Sequence, residues 1–170
     1  NFATNLEEVN CIISKLDKLK LLHHLMRVCP IPDLKFEKFF VTIRRLLIIN
    51  LDNFKLSPEL MYFLSTLSLH CFTNEYIYNE KNEETELIEN LEHEMMQTFA
   101  NSEQPEVKKI LCLASYRPLH LYNWYHKLKA LDHLEEVKLR LIKEPYVERE
   151  IKAEIPILGG ISNNVSRKVK

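Results

Sequence analysis

Only two glycines, Gly159 and Gly160, occur among the 170 residues, and both stand near the C-terminal end. Tight hairpin turns need positive φ and draw on glycine, so a chain this poor in it has little material for paired strands. Helices joined by short polar links are the class left open. With 46% hydrophobic and 28% charged residues, the length fits one domain that buries a real core without disulfide or metal staples.

The stretch Ser57 to Tyr78, SPELMYFLSTLSLHCFTNEYIY, organises the rest. Ser57 is a helix cap, Pro58 suits the first helical position, and Glu59 sits in the positive first turn. Leu60, Met61, Phe63, Leu64, Leu67, Leu69, Cys71, Phe72, Tyr76 and Ile77 go round most of the helix surface, the pattern of an element covered on several sides. Before it, a first helix is predicted from Asn5 to about Arg27, with Thr4 or Asn5 as cap and one buried stripe, Val9, Ile12, Ile13, Leu16, Leu19, Leu22, Leu25 and Met26. Asp33 caps a second to about Asn50. Its Phe36, Phe39, Phe40, Ile43, Leu46 and Leu47 face the core, with Lys35, Lys38, Arg44 and Arg45 on the other side. The short connection predicts that these two helices pack antiparallel.

After the central helix, Glu83 to about Ala100 presents a narrow stripe, Leu87, Leu91, Met95 and Phe99, as a surface helix does. Pro105 opens the next helix and Pro118 breaks it. Leu119 to Leu128 reads as a short aromatic helix. Asp132 with Glu135 reads as a capping pair, Pro145 starts a last short helix to about Glu154, and residues 155–161 (IPILGGI) read as extended. The expected architecture is an all-α, irregular bundle of about six to eight helices, a domain over residues 1–154 with a linker over 155–170.

Twenty-three Lys+Arg against twenty-four Asp+Glu give a formal charge of −1, which supplies no field to attract nucleic acid or anionic lipid. Cys11, Cys29, Cys71 and Cys112 lie far apart in apolar settings without C-x-x-C spacing, and read as free buried thiols of a reducing compartment. The histidines lack ligand spacing, so no metal site is expected: His23 and His24 are neighbours pointing about 100° apart. His70 beside Cys71 fails as a base for the same reason. No apolar run is long enough to span a bilayer. The chain opens at Asn1 without methionine, and Val165 to Lys170 reads as a helix without a cap, so both ends read as cut.

Two polar features stand in apolar surroundings. Glu75, between Asn74 and Tyr76, and Arg117, between Tyr116 and Pro118, read as a buried structural ion pair, with a ligand pocket as the alternative. Tyr116, His120, Tyr122, Trp124 and Tyr125 form a cluster that serves either as core or as a surface for a peptide.

Three stretches together, SLHCFTNEYIY at Ser68 to Tyr78, CLASYRPLHLY at Cys112 to Tyr122 and EPYVEREIKAEIPILGGISNNVSRKVK at Glu144 to Lys170, resemble the helical region of bacterial methyltransferases with tetratricopeptide repeats. The matching elements are Asn74 to Tyr76, Tyr116 to Leu119, Glu144 to Glu148 and Ile155-Pro156, over roughly Pro30 to the end. Gly159-Gly160 departs from the Leu-Thr or similar pair of that family. The resemblance implies a region between N-terminal repeats and an S-adenosylmethionine-dependent domain, whose opening Tyr-Glu-x-Asn-Pro-Tyr-Pro stretch would follow Val165-Ser166-Arg167. On that footing the chain is a non-catalytic accessory and linker region that positions substrate or repeats against a catalytic domain outside it. The cofactor would belong to that domain, the partners would be neighbouring domains or a protein or peptide substrate, and the compartment would be the cytoplasm. The residues alone leave a free-standing helical interaction module open.

Overall fold

The computed structural model describes residues Leu6–Glu154, all of them in helices and the turns between, with no strand among them. The elements are α1 (Leu6–Leu16), α2 (Lys20–Val28), α3 (Leu34–Ile49), α4 (Pro58–Thr73), α5 (Asn82–Ala100) and α6 (Val107–Ala114). Three 3-10 turns follow, Leu119–Leu121, Tyr125–Lys127 and Lys129–Leu131. A continuous run closes the chain: α7 (Glu135–Lys138), a π turn (Leu139–Lys143) and α8 (Glu144–Glu154). Counted once, that run brings the described residues to seven helices, as an all-α irregular bundle. The expected link over 155–170, and the expected caps Thr4 and Asn5, lie outside the described residues.

α4 is the centre. α1, α2, α6 and the π turn all pack on it, and α3, α5 and α6 form a second group against one another. Every residue from Phe63 to Cys71 is buried. Ser57 Oγ accepts the Leu60 N–H at 3.2 Å, with Pro58 at the first helical position, as the sequence predicts. Three hydroxyls inside so apolar an environment need partners, and each finds one a turn back. Ser65 donates to the Met61 carbonyl, Thr66 to Tyr62 and Ser68 to Leu64, at 2.8 to 2.9 Å.

α4 ends at Thr73, four residues before Ile77, the last residue of its apolar pattern. Asn74 closes it, Glu75 and Tyr76 take the left-handed conformation (φ 53° and 57°), the Glu75 N–H donates to the Phe72 carbonyl and the Tyr76 N–H to Cys71, both at 2.9 Å. This is a Schellman stop, completed by the Tyr76 ring against Phe72. Ile77 is consequently exposed, not part of a helical face.

The single first helix divides in two. Asp17 to Leu19 interrupt it, Lys18 and Leu19 donate only three residues back, and the His23 ring donates to the Leu16 carbonyl at 3.0 Å. That imidazole supplies the partner that a continuing helix would otherwise have offered. α2 then packs chiefly on α4, and of the expected first helix it is the α1 half that packs on α3. Asp33 caps α3 as predicted, accepting the Lys35 and Phe36 N–H groups at 2.8 and 3.0 Å.

Arg44 corrects the reading of α3. Placed by the sequence on the outer face, it is 1% exposed, the largest of the fully buried side chains. Its guanidinium donates to the carbonyls of Ser115, Tyr78 and Asn79 at 3.0 to 3.4 Å and lies 4.0 Å from the centre of the Tyr116 ring. Tyr116 in turn donates its hydroxyl at 2.8 Å to Glu84, a carboxylate with no exposure, which also accepts the Lys81 N–H at the start of α5. Positive and negative charge are thus both buried, joined through one phenol.

The C-terminal third departs from expectation in its helix type. Leu119 to Leu128 winds as 3-10 turns, and Asp132 pairs with Lys138 instead of capping α7. Pro145 does not start a separate helix: the π turn before it carries the missing N–H, and the run continues. Cys71 and Cys112 are buried, whereas Cys11 is exposed and Cys29 half-buried, contrary to the expectation for all four.

Replacing Arg44 by Met should cost about 3 kcal/mol or more in urea melts, because Glu84 and three carbonyls lose their counterpart. Arg44→Lys should not restore it, since an ammonium lacks the fork and the flat face. A loss below about 1 kcal/mol would contradict the assignment.

His23 and His70 are also buried. Burial holds both imidazoles below their ordinary value of 6.5, so the folded state keeps them neutral while the unfolded chain takes the proton. Their contribution is complete above the unfolded value and is lost as pH falls below it. The urea midpoint should therefore drop between about pH 7 and pH 5, and drop less in His23→Gln. An equal drop in the variant would refute this role for His23.

Candidate functional site

α2 is inverted. Its buried residues are His23 and Met26, and the half-buried Arg27 sits with them, while Leu21, Leu19 and Leu25 are 73%, 52% and 40% exposed. A polar seam faces α4. Arg27 donates through Nε and a terminal nitrogen to Thr66 Oγ1 at 3.1 and 3.0 Å, and its guanidinium lies 4.7 Å from the centre of the Tyr62 ring. His23 Nδ1 stands 3.4 Å from the same hydroxyl, and Arg27 also pairs with Glu136. Once these polar groups occupy the inner face, helical spacing turns the leucines outward.

The outward leucines meet the first turns of α3. Leu16, Leu19, Leu21, Leu22, Leu25 and Ile31, with Phe36 and Phe39, line an open groove of about 1110 Å³. Its polar lining is Lys18, Lys20 and Lys35 with one acid, Asp33. Asp33 already accepts two N–H groups as the α3 cap, and Lys20 bonds Asp17 at 2.9 Å. The groove is thus apolar inside and positive at its rim. The apolar spacing puts Leu19, Leu22 and Leu25 in the core; Leu22 does pack against it in part, whereas Leu19 and Leu25 are exposed. Leu21, which falls off that stripe and widens the apolar arc of α2, is the signal that could have exposed the error.

The expected ion pair is not formed. Glu75 is exposed at the Schellman stop and makes no ion pair among the described residues. Arg117 instead holds Glu80 with both terminal nitrogens, one at 2.9 Å, and lies 3.9 Å from Glu92. Glu80 raises the guanidinium further above its ordinary value. A helix that stops at Thr73 carries Glu75 out to solvent, and the following six residues bring Glu80 back.

The aromatic cluster is largely core. Tyr116 and Trp124 are 1% and 4% exposed. Trp124 stacks between Tyr122, at 4.5 Å, and Phe99, at 5.2 Å, and Tyr122 donates to Glu92. Tyr125 packs on Tyr146 of α8, and His120 meets the edge of Phe72. Burial, with Arg149 nearby, holds the His120 imidazole below its ordinary value. His120, Tyr122 and Tyr125 are half-buried, so parts of this cluster reach water.

One polar cluster, around His70, closes on itself, whereas the Tyr76 hydroxyl and His120 Nδ1 are buried without a hydrogen-bond partner among the described residues. His70 Nδ1 donates to the Met26 carbonyl at 3.0 Å, Tyr78 donates to His70 Nε2 at 2.7 Å, and the Asn74 amide donates to the Tyr78 oxygen at 3.0 Å. Burial pushes the Cys71 and Cys112 thiols up to about 12, far from the thiolate a nucleophile needs. No three His, Cys, Asp or Glu side chains converge as metal ligands among the described residues. The described residues contain no glycine, and so no glycine-rich turn of the kind that cradles a nucleotide-like cofactor. No helix among them is long and apolar enough to cross a membrane.

Glu75→Gly should leave stability unchanged or raise it by up to about 1 kcal/mol, since glycine takes positive φ without the Cβ clash. A clear loss in urea melts would mean that the Glu75 carboxylate has a partner after all. In comparisons with known proteins, no family model, curated protein or solved structure matches the chain.

Proposed function

We propose that this chain is a non-catalytic helical interaction module, whose groove between α1, α2 and α3 receives an amphipathic helix with acidic flanks. The inversion of α2 carries the reading. A helix that turns His23 and Arg27 inward and three leucines outward leaves an apolar face uncovered, and large uncovered apolar faces mark interaction surfaces. A groove walled by helices accepts a further one by the same ridge packing that joins helices within a bundle. Lys18, Lys20 and Lys35 at the rim favour glutamates beside the apolar anchors. The buried Cys71 and Cys112 thiols, held far from thiolate, support a non-catalytic role.

The resemblance to tetratricopeptide-repeat methyltransferases adds a setting for this module. There the groove would take a helix of a neighbouring repeat or substrate, and the module would hold it against a domain that binds S-adenosylmethionine elsewhere in the polypeptide. Unbridged thiols accord with a reducing, cytoplasmic compartment.

Fluorescence anisotropy with two synthetic helical peptides tests the groove. Both carry Leu and Phe one turn apart, one flanked by Glu and the other by Lys. The Glu-flanked peptide should bind about tenfold more tightly, and added salt should narrow the gap. Leu21→Glu and Phe36→Glu change exposed side chains, so the fold should persist by circular dichroism while binding is lost. Equal binding to both variants and the unaltered chain would overturn the reading.

A further inference from the structure

We infer that the occupant of the groove is α8 of a second copy of this chain, so that copies associate head to tail. This rests on the helix-docking reading of the groove and names its partner.

α8 has the face that the groove requires. Val147 and Ile151, one turn apart, are 49% and 53% exposed, and no residue of α8 from Val147 to Lys152 is buried. At 100° per residue, Glu144, Glu148, Glu150 and Glu154 all fall within about 100° of Val147, whereas Arg149 and Lys152 fall on the far side. The helix is therefore an apolar stripe bordered by carboxylates, with its cations turned away. Tyr146 occupies Arg149 further by placing its ring 5.7 Å from the guanidinium. The groove presents the opposite arrangement, an apolar floor of leucines and phenylalanines with three lysines at the rim, of which Lys20 already bonds Asp17, and one lining acid already serving as a cap. Apolar meets apolar and negative meets positive along one short helix.

The same geometry excludes the chain's own groove. α8 continues without a break from the π turn, which packs on α4, and Tyr146 is held against Tyr125, so reaching α2 would require unwinding that run. The donor must be another copy. Groove and α8 are different surfaces, so the contact is heterologous: each copy offers one of each, and the assembly grows beyond a pair or closes as a ring. Screening should weaken it, because the rim pairs are exposed.

Sedimentation velocity of the full chain, from low micromolar to near-millimolar concentration, tests this together with two variants. One is Leu21→Glu, which spoils the groove, and the other is Val147→Glu with Ile151→Glu, which spoils α8. All three should show the same helical circular dichroism. The unaltered chain should pass from monomer to species larger than a dimer as concentration rises, and each variant alone should stay monomeric. Mixed, the variants should form a one-to-one heterodimer and stop there, because one intact groove and one intact α8 remain. Association of the α8 variant that equals that of the unaltered chain would overturn the proposal, as would a mixture that stays monomeric. If the unaltered chain is monomeric throughout while the Glu-flanked peptide still binds, the groove is a helix site whose occupant is not α8. Loss of both would remove the helix-docking reading as well.

Discussion

The buried Arg44 guanidinium is the interaction on which the architecture of the second helical group depends. It sits on α3, its hydrogen bonds reach the end of α6 and the turn after α4, and its charge is balanced across the Tyr116 ring by Glu84 on α5. Both terminal nitrogens of the guanidinium are partnered, although the buried Nε is not, and this chain of contacts ties α3, α5 and α6 together. A hydrophobic side chain in the same place would fill the volume but would accept several neighbouring registers. We read Arg44 as a device for specificity as much as for stability.

A second polar seam, between α2 and α4, has a different consequence. Thr66 is buried in the central helix, and its hydroxyl accepts from Arg27 beside the His23 ring. Both side chains must point inward to meet it, and the leucines of α2 are turned out. The price of that seam is an apolar surface facing water, which is costly unless something covers it. Internal packing on one face thereby creates the recognition surface on the other, and the positive rim limits what fits there. The complementary stripe on α8 arises from the same economy of contacts: the π turn anchors the run on α4, and the last turns extend past the core with Val147 and Ile151 uncovered.

The local signals were legible where the physics is local. Ser57-Pro58 and Asp33 mark helix starts because the cap bond forms within three residues, and both stand where the sequence puts them. The all-round burial of α4 was readable from its apolar residues for a related reason, since no single stripe could contain them. Helix ends were less legible. The stop after Thr73 uses a left-handed glutamate where glycine is the usual choice, and the break after Leu16 depends on a histidine ring several residues on. The pairing of Arg117 with Glu80 instead of Glu75 follows directly from the first of these.

By itself, the sequence determined the helical class, the central element, most of the buried apolar residues of α4 to α7, and the caps of α3 and α4, because each rests on periodicity or on neighbours a few positions apart. Only the tertiary structure decided which face of α2 is buried, that Arg44 and Glu84 lie inside, and that the outward leucines of α2 meet Phe36 to form a groove. The physical reason is that polar groups bury wherever a distant partner completes them. Thr66, Tyr116 and the carbonyls of Tyr78 and Ser115 lie more than thirty positions from the side chains they satisfy, so no spacing along the chain records the match.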